Sequence, residues 1–303
     1  MSYLGETAAI MVSLLWTAGA LFFTSAGKRI GSFSVNLYRI IISAFFLCIT
    51  HQIFFGIPFP LASLEQWIWL GLSGVIAMGI GDYCLFSSFV IIGPRLTVLI
   101  LAMSPIFASL GALVLLGEIL YPIALLGIAV TLIGIVIVLR DKKDDKEQGN
   151  ISKNLKWKGV FLSLIASIGQ GIGIVLAKKG MNINPNQLID PLSATFIRII
   201  MAGVFVWIMA LGTGKLSELN NGLRNKIGME LTLGGAFFGA FLGITLSMIA
   251  VKHAETGVAQ TLMSLRPIII LPVIHILYKN PISAREIIGA AITVCGVAIL
   301  FLN

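Results

Sequence analysis

The sequence has little charge. Only 11% of its 303 residues are Asp, Glu, Lys or Arg, whereas soluble globular chains carry about 25%. Hydrophobic residues make up 57%, and the mean hydropathy is +0.99. Folded in water, such a chain would expose one large apolar surface. The composition therefore excludes a soluble protein.

Several motifs are also lacking. The three cysteines, Cys48, Cys84 and Cys295, lie in apolar runs without CxxC spacing, which excludes a disulfide framework or metal site and predicts small core residues. The first apolar run follows Glu6 rather than Lys or Arg, so we expect a permanent helix instead of a cleaved signal peptide. Gly214-Lys215 lacks the other residues of a phosphate-binding loop, so neither ATP drive nor any cofactor is expected.

The sequence has instead apolar runs of about 20 residues, the length at which an α-helix crosses a bilayer. Strands of a barrel would alternate apolar and polar residues, and these runs do not. The prediction is an all-α membrane protein with ten transmembrane helices, multi-pass in the cell membrane. The predicted spans are 5–26, 34–54, 67–90, 95–116, 121–139, 157–178, 192–211, 228–251, 257–278 and 284–302.

A strongly polar segment, residues 140–156, divides the chain into a first unit of residues 1–139 and a second of residues 157–303. An Arg flanked by apolar residues, Arg39 or Arg198, lies early in the second helix of each unit. Because each unit has an odd number of predicted helices, tandem copies must insert in opposite orientations, as in many secondary transporters. A constant offset of 162 residues relates Pro105 to Pro267, Gly81 to Gly243, Gly127 to Gly289, and Gly134 to Gly296.

The stretch from Ile91 to Leu139 resembles the EamA-type branch of the drug/metabolite transporter superfamily. Its proline, Gly-Glu pair and spaced glycines match that branch, and the second half repeats the pattern except at Asn280, where the family often has Glu. The segment from Trp16 to Lys28, and Arg39, are similar to the first two helices of the family. The matching residues are Pro105, Gly117, Glu118, Gly127 and Gly134, then Pro267, Gly289 and Gly296.

The resemblance implies a ten-helix bundle around a central cavity lined by helices 1, 3, 4, 6, 8 and 9. It also implies a carrier rather than an enzyme. We expect a secondary transporter, working as an exporter, that moves small metabolites such as amino acids by alternating access. The expected partners are the small-molecule substrate and the lipid bilayer, with no nucleic acid, and the protein is expected to be a monomer or homodimer.

Ionisable residues inside apolar helices point to the binding site, because each costs about 2.5–3.5 kcal/mol on insertion scales. Asp82 lies deep in the third span, and Arg266 lies in the ninth. The guanidinium of Arg266 suits a carboxylate or another anion, and Asp82 suits a proton or an amine. The alternative is that they pair with each other, or with backbone, and only fix packing. Weaker polar candidates for the cavity wall are Trp16, Thr17, Ser104, Gln170, Gln260 and Ser264.

Other residues receive structural interpretations. Arg39 and Arg198 are expected to extend to the headgroups, and Glu118 and His51 to lie at the membrane interface. Pro105 and Pro267 interrupt helical hydrogen bonding and are either hinges or static kinks. The glycines of the sixth span (Gly169, Gly171 and Gly173) are expected to permit close helix packing rather than to bind phosphate.

Two alternative functions stay open at this point. A lipid or amphiphile flippase-like carrier would have the same fold. The GxGD sequence at residues 79–82 also occurs in intramembrane aspartyl proteases, which need a second carboxylate beside Asp82. Other Asp residues are confined to the linker and to Asp190 at the start of the seventh span.

Orientation is predicted in two conflicting ways. One side of the predicted membrane region carries 15 Lys and Arg residues, and the other carries 3, namely Lys178, Lys179 and Lys252. The positive-inside rule then places the linker in the cytoplasm and both termini outside. The resemblance implies cytoplasmic termini.

Overall fold

The computed structural model of the protein describes residues 3–117, 122–139, 152–183, 188–214, 222–253, 259, 262–278 and 282–300. These residues are overwhelmingly helical, and none of the residues described forms a β-strand. The predicted all-α class is therefore confirmed. The boundary of the two units at residues 140–156 lies mostly outside the described residues and stays a prediction.

The first half consists of helices with two short interruptions. It contains α1 (Leu4–Ile30), α2 (Ser32–Phe55), α3 (Leu64–Gly74), the π-helical segment π1 (Val75–Gly81), α4 (Asp82–Leu101), α5 (Ser104–Leu116) and α6 (Pro122–Leu139).

The second half repeats this order. It contains α7 (Lys153–Met181), α8 (Pro191–Gly212), α9 (Lys226–Gly235), the π-helical segment π2 (Ala236–Gly243), α10 (Ile244–His253), α11 (Arg266–Tyr278) and α12 (Ala284–Leu300).

The helices are apolar enough to span a bilayer. Six helical stretches have at least 18 residues and a membrane-like hydropathy, and three shorter apolar helices have 10–17 residues. The longest stretch, Leu64–Leu101, is divided at Gly93, whose φ of 77° breaks the helix just before Pro94. The predicted break between the spans 67–90 and 95–116 is thus confirmed at Gly93-Pro94, while the count of ten spans stays a prediction.

The last helices of the two halves, α6 and α12, pack against each other through small residues. Gly134 faces Thr293, Thr131 faces Gly296, and Val138 faces Gly289. Moving forward along α6 therefore moves the contact backward along α12, so the two helices are antiparallel. An inverted repeat requires this arrangement of equivalent helices.

Irregular backbone also recurs at equivalent places. The segments π1 and π2 end at Gly81 and Gly243, which the sequence offset of 162 relates. Helical turns are also interrupted at 102–103 and at 264–265, two residues before Pro105 and Pro267 respectively. The two halves therefore share the same deviations from ideal helix geometry.

Close helix packing by glycine, as predicted for the sixth span, is confirmed. A Cβ added at Gly169 would lie 2.9 Å from the carbonyl oxygen of Ile76, and one at Gly173 would lie 2.6 Å from the Cβ of Ala77. These glycines let α7 lie directly against π1, which places Gln170 of α7 beside Asp82, the residue that follows π1.

Two sequence interpretations are wrong. His51, expected to be exposed at the membrane interface, is instead only 1% exposed, and its ring nitrogens contact the Ile57 carbonyl and the Ser193 hydroxyl at 2.7 and 2.9 Å. The polar ring is buried because both nitrogens find partners. Cys295 is exposed on α12 rather than in the core. Glu118 lies outside the described residues.

Candidate functional site

A cavity lies inside the helix bundle. Its wall combines aromatic and aliphatic side chains with charged and amide groups. Both halves supply it, through α1, α2, π1 and α4 from the first and α7, α8, π2, α10 and α11 from the second. The arginines on α2 and α8 add two helices to the six that the family resemblance implied.

A buried ion pair between Arg39 and Asp82 lies on the wall. The Nη2 of Arg39 is 2.6 Å from Oδ2 of Asp82, and the two side chains are 1% and 9% exposed. Arg39 also donates from Nη2 and Nε to Oδ1 of Asn36, at 3.0 and 3.2 Å. Such a pair withstands burial only when further hydrogen bonds satisfy it, and Asn36 provides them.

The π-helical segment π1 orients this pair. Two of its carbonyl groups accept from side chains: Arg39 donates to that of Met78 at 3.0 Å, and Asn36 donates to that of Gly79 at 3.2 Å. Asp82 is the residue directly after π1. The local backbone therefore fixes both partners of the ion pair.

The amide of Gln170 connects the second half to Asp82. Its Nε2 donates to Oδ1 of Asp82 at 2.7 Å. Because Gly169 allows α7 to approach π1 closely, the neighbouring Gln170 reaches a carboxylate in the other half. Asp82 thereby accepts from both halves of the molecule.

Arg198 lies on the opposite half and is poorly partnered. It is 4% exposed, its Nη1 donates to Sδ of Met248 at 3.4 Å, and its Nε has no hydrogen-bond partner in the described structure. A thioether sulfur is a weak acceptor. A Cβ added at Gly74 would collide with the main-chain carbonyl of Arg198, so α3 and α8 are in backbone contact there.

Arg266 stacks on Trp16. Its guanidinium carbon is 4.5 Å from the centre of the indole ring, and its Nε donates to the Met263 carbonyl at 3.2 Å. The indole Nε1 of Trp16 in turn donates to the carbonyl of Gly239 in π2, at 3.2 Å. Both π segments thus use carbonyl groups to hold side chains of the cavity.

The rest of the wall is mostly apolar. The rings of Phe23 and Phe86 lie 4.6 Å apart, and Phe89 lies 6.2 Å from Phe86. The cavity therefore has a charged part and an aromatic part, which suits a molecule with one polar and one apolar end.

The predicted site residues are distributed unevenly. Trp16, Asp82, Gln170 and Arg266 line the cavity, and their role in binding stays a prediction. The buried residues Thr17, Ser104 and Ser264 are not among the described residues of the wall. Pro105 and Pro267 each lie at the second position of a helix that follows a broken turn. Gln260 is outside the described residues.

The sequence interpretation of Arg39 and Arg198 is wrong, because both line the cavity and neither extends to the headgroups. Asp82 pairs with Arg39 rather than with Arg266. The available signal was the repeat itself, since the same apolar-flanked Arg occurs in both halves.

Metal and protease chemistry find no support in the part of the chain described here. No group of three metal-binding side chains occurs in it. The contacts to Asp82 come from Arg39 and Gln170 rather than a second carboxylate. Asp190 instead caps the start of α8 by accepting from the Ser193 amide at 2.8 Å.

Long apolar helices surrounding a partly charged cavity define a multi-pass membrane protein with an internal cavity. The sequence model of the EamA-like transporter family matches residues 3–140 and again residues 157–302, so the chain belongs to that family. The family makes it a membrane transporter of small molecules.

A solved structure has a similar fold. It is described only as "Crystal structure of protein", is 17% identical, covers 99% of this chain and 97% of its own, and has a TM-score of 0.64. The likeness shows a shared fold. No curated protein matches the chain.

Proposed function

We propose that the protein is a secondary transporter that carries small metabolites through the central cavity by alternating access between two inverted halves. The observation that carries the proposal is a cavity at which charged side chains from both halves meet. A site shared by two halves is exposed to one side or the other when the halves rock against each other.

The interrupted helices suit such a movement. Turns at 102–103 and 264–265 interrupt the regular helix before Pro105 and Pro267, and the residues of α4 and α11 nearest these turns include cavity residues Leu101 and Arg266. Bending there would move part of the wall, whereas the α6–α12 contact, in which glycines of each helix lie against the other, would move little.

Counterflow in proteoliposomes tests the proposal. Vesicles are loaded with a pool of unlabelled metabolites that includes amino acids and organic acids, and uptake of each labelled compound is followed without ATP. We expect transient accumulation of at least one compound, and none in protein-free vesicles. Scrambling of a fluorescent lipid without any solute counterflow would overturn the proposal in favour of a lipid carrier.

Export is the direction we propose, as expected from the sequence. Everted vesicles from cells that make the protein should accumulate its substrate, and right-side-out vesicles should lose it. Net uptake only in right-side-out vesicles would contradict export. A C-terminal reporter that is active only in the cytoplasm would decide which side the termini occupy.

A further inference from the structure

Charge on the cavity wall is unbalanced. Among the described residues of the wall, four side chains are ionised: Arg39, Arg198 and Arg266 are positive, and Asp82 is negative. Asp82 forms its short contact with Arg39. It also attracts Arg198 and Arg266 at longer range, but one carboxylate cannot balance three guanidinium groups. The wall keeps an excess of positive charge around the remaining two arginines.

Arg198 has unused hydrogen-bonding capacity. Arg198 is 96% buried (4% exposed). In the described structure it donates one hydrogen bond, to a thioether sulfur, and its buried Nε has no partner. A buried polar group without a partner costs free energy, and a charged one costs more. A side chain in this state on a cavity wall is suited to receive hydrogen-bond acceptors from a ligand.

Arg266 is held in position while part of its guanidinium stays available. One face of the Arg266 guanidinium stacks on Trp16, and its Nε donates to the Met263 carbonyl. Within the described residues, no carboxylate forms an ion pair with it. A planar guanidinium that is stacked and anchored has already lost rotational freedom before a ligand binds. Less conformational entropy is therefore lost when two of its N–H groups bind an oxyanion.

The aromatic part of the wall defines the other end of the ligand. Phe23, Phe86 and Phe89 form a cluster that, together with Leu85, lines the cavity. Burying an apolar group against it is favourable, by about 25 cal/mol for each Å² removed from water.

We infer that the cargo is an organic anion whose oxyanion group binds Arg198 and Arg266 and whose apolar body lies against the phenylalanine cluster. This inference rests on the proposed transport function and names its substrate class. A zwitterionic amino acid fits less well, because its ammonium would enter a cationic cavity whose carboxylate is already paired with Arg39. Amino acids, the example expected from the sequence, become the comparison compounds.

Matched ligands test the charge rule on the unaltered protein. Binding of 3-phenylpropionate, phenyl phosphate and phenylalanine is measured by calorimetry in nanodiscs, since the three share a ring and differ in charge. We expect at least one of the two anions to bind about tenfold or more tightly than phenylalanine, the effect of one charge-assisted hydrogen bond. Equal or tighter binding of phenylalanine would overturn the inference.

Substitutions locate the site. Arg198→Gln and Arg266→Gln should each weaken anion binding about tenfold or more, and Arg→Lys at either position should weaken it less. Arg29→Gln removes an equal charge from an exposed position near the end of α1 and should leave binding unchanged. Anion binding that survives both Gln substitutions in folded protein would overturn the assignment.

Counterflow separates this inference from the transport proposal. Counterflow of phenylalanine without that of either anion would end the anion assignment and leave transport intact. Arginine-dependent anion binding without counterflow of any compound would keep the anion site and end the transport proposal. If the Gln variants do not fold, the comparison of ligands on the unaltered protein decides.

Discussion

At the scale of single residues, Asp82 connects three helical segments. It contacts Arg39 on α2 at 2.6 Å and Gln170 on α7 at 2.7 Å, and it directly follows π1. Its negative charge is also close enough to act on Arg198 and Arg266. The stability of a strongly cationic wall should therefore depend on this carboxylate.

Replacing Asp82 tests this dependence. Asp82→Asn keeps the size of the side chain but leaves Arg39 buried without its counter-charge, which should lower the free energy of unfolding by about 3–5 kcal/mol. The double variant Arg39→Gln, Asp82→Asn removes both charges and should recover much of that loss. The apparent melting temperature in detergent measures both effects, and a double variant less stable than Asp82→Asn would contradict the explanation.

The sequence predicted some of the residues that line the cavity but not all of them. Asp82, Arg266, Trp16 and Gln170 stood out because they are polar or amphipathic residues deep in apolar runs. Arg39 and Arg198 did not, because each lies seven residues after the first residue of its helix. At that depth the sequence alone cannot tell whether a long side chain turns to the headgroups or inward, and the structure turns both inward.

At the scale of elements, glycine determines how closely helices approach. Gly74, just before π1, lies against the main-chain carbonyl of Arg198, and Gly169 lies against the carbonyl of Ile76. These contacts bring π1 and its ion pair next to α7 and α8. The position of Arg198 therefore depends on a neighbouring helix as well as on α8.

A side chain at Gly74 should separate these helices. Gly74→Ala places a Cβ against backbone that has no rotamer to change, so we expect a loss of at least about 1–3 kcal/mol in unfolding free energy and weaker ligand binding. Gly212→Ala is a suitable control, since a Cβ there meets nothing within 4 Å. Both are compared by thermal unfolding in detergent. Equal melting temperatures for Gly74→Ala and the control would contradict the packing argument.

Helix existence was predictable at this scale, whereas helix type was not. Apolar run length predicted most boundaries to within a few residues, and Gly93-Pro94 marked a real break. The π segments escaped prediction because their wider turns depend on which main-chain groups pair, and glycine-containing apolar runs are compatible with either register. The contacts that Arg39, Asn36 and Trp16 make to carbonyl groups of these π segments could therefore not be predicted either.

At the scale of the whole molecule, contacts between the halves occur well beyond the cavity. Besides the Gln170–Asp82 and Trp16–Gly239 bonds, Arg95 and Glu286 form a buried ion pair at 2.6 Å. The α6–α12 interface adds small-residue packing along much of both helices. The order of elements and the internal repeat were predictable from sequence, but these cross-contacts join residues too distant in the chain for any local pattern to reveal.

The antiparallel packing of α6 on α12 has a consequence for the covalent chain itself. Since side chains and backbone already hold one half against the other, a peptide bond between them is not needed for recognition. Fragments 1–139 and 152–303, produced in one cell as separate polypeptides, should assemble and co-purify through a tag on either. The same experiment with Gly134→Leu, which places a large side chain in the α6–α12 interface, should recover less of the untagged fragment. Failure of the unaltered fragments to associate would mean that the tether, and not the interface, keeps the halves together.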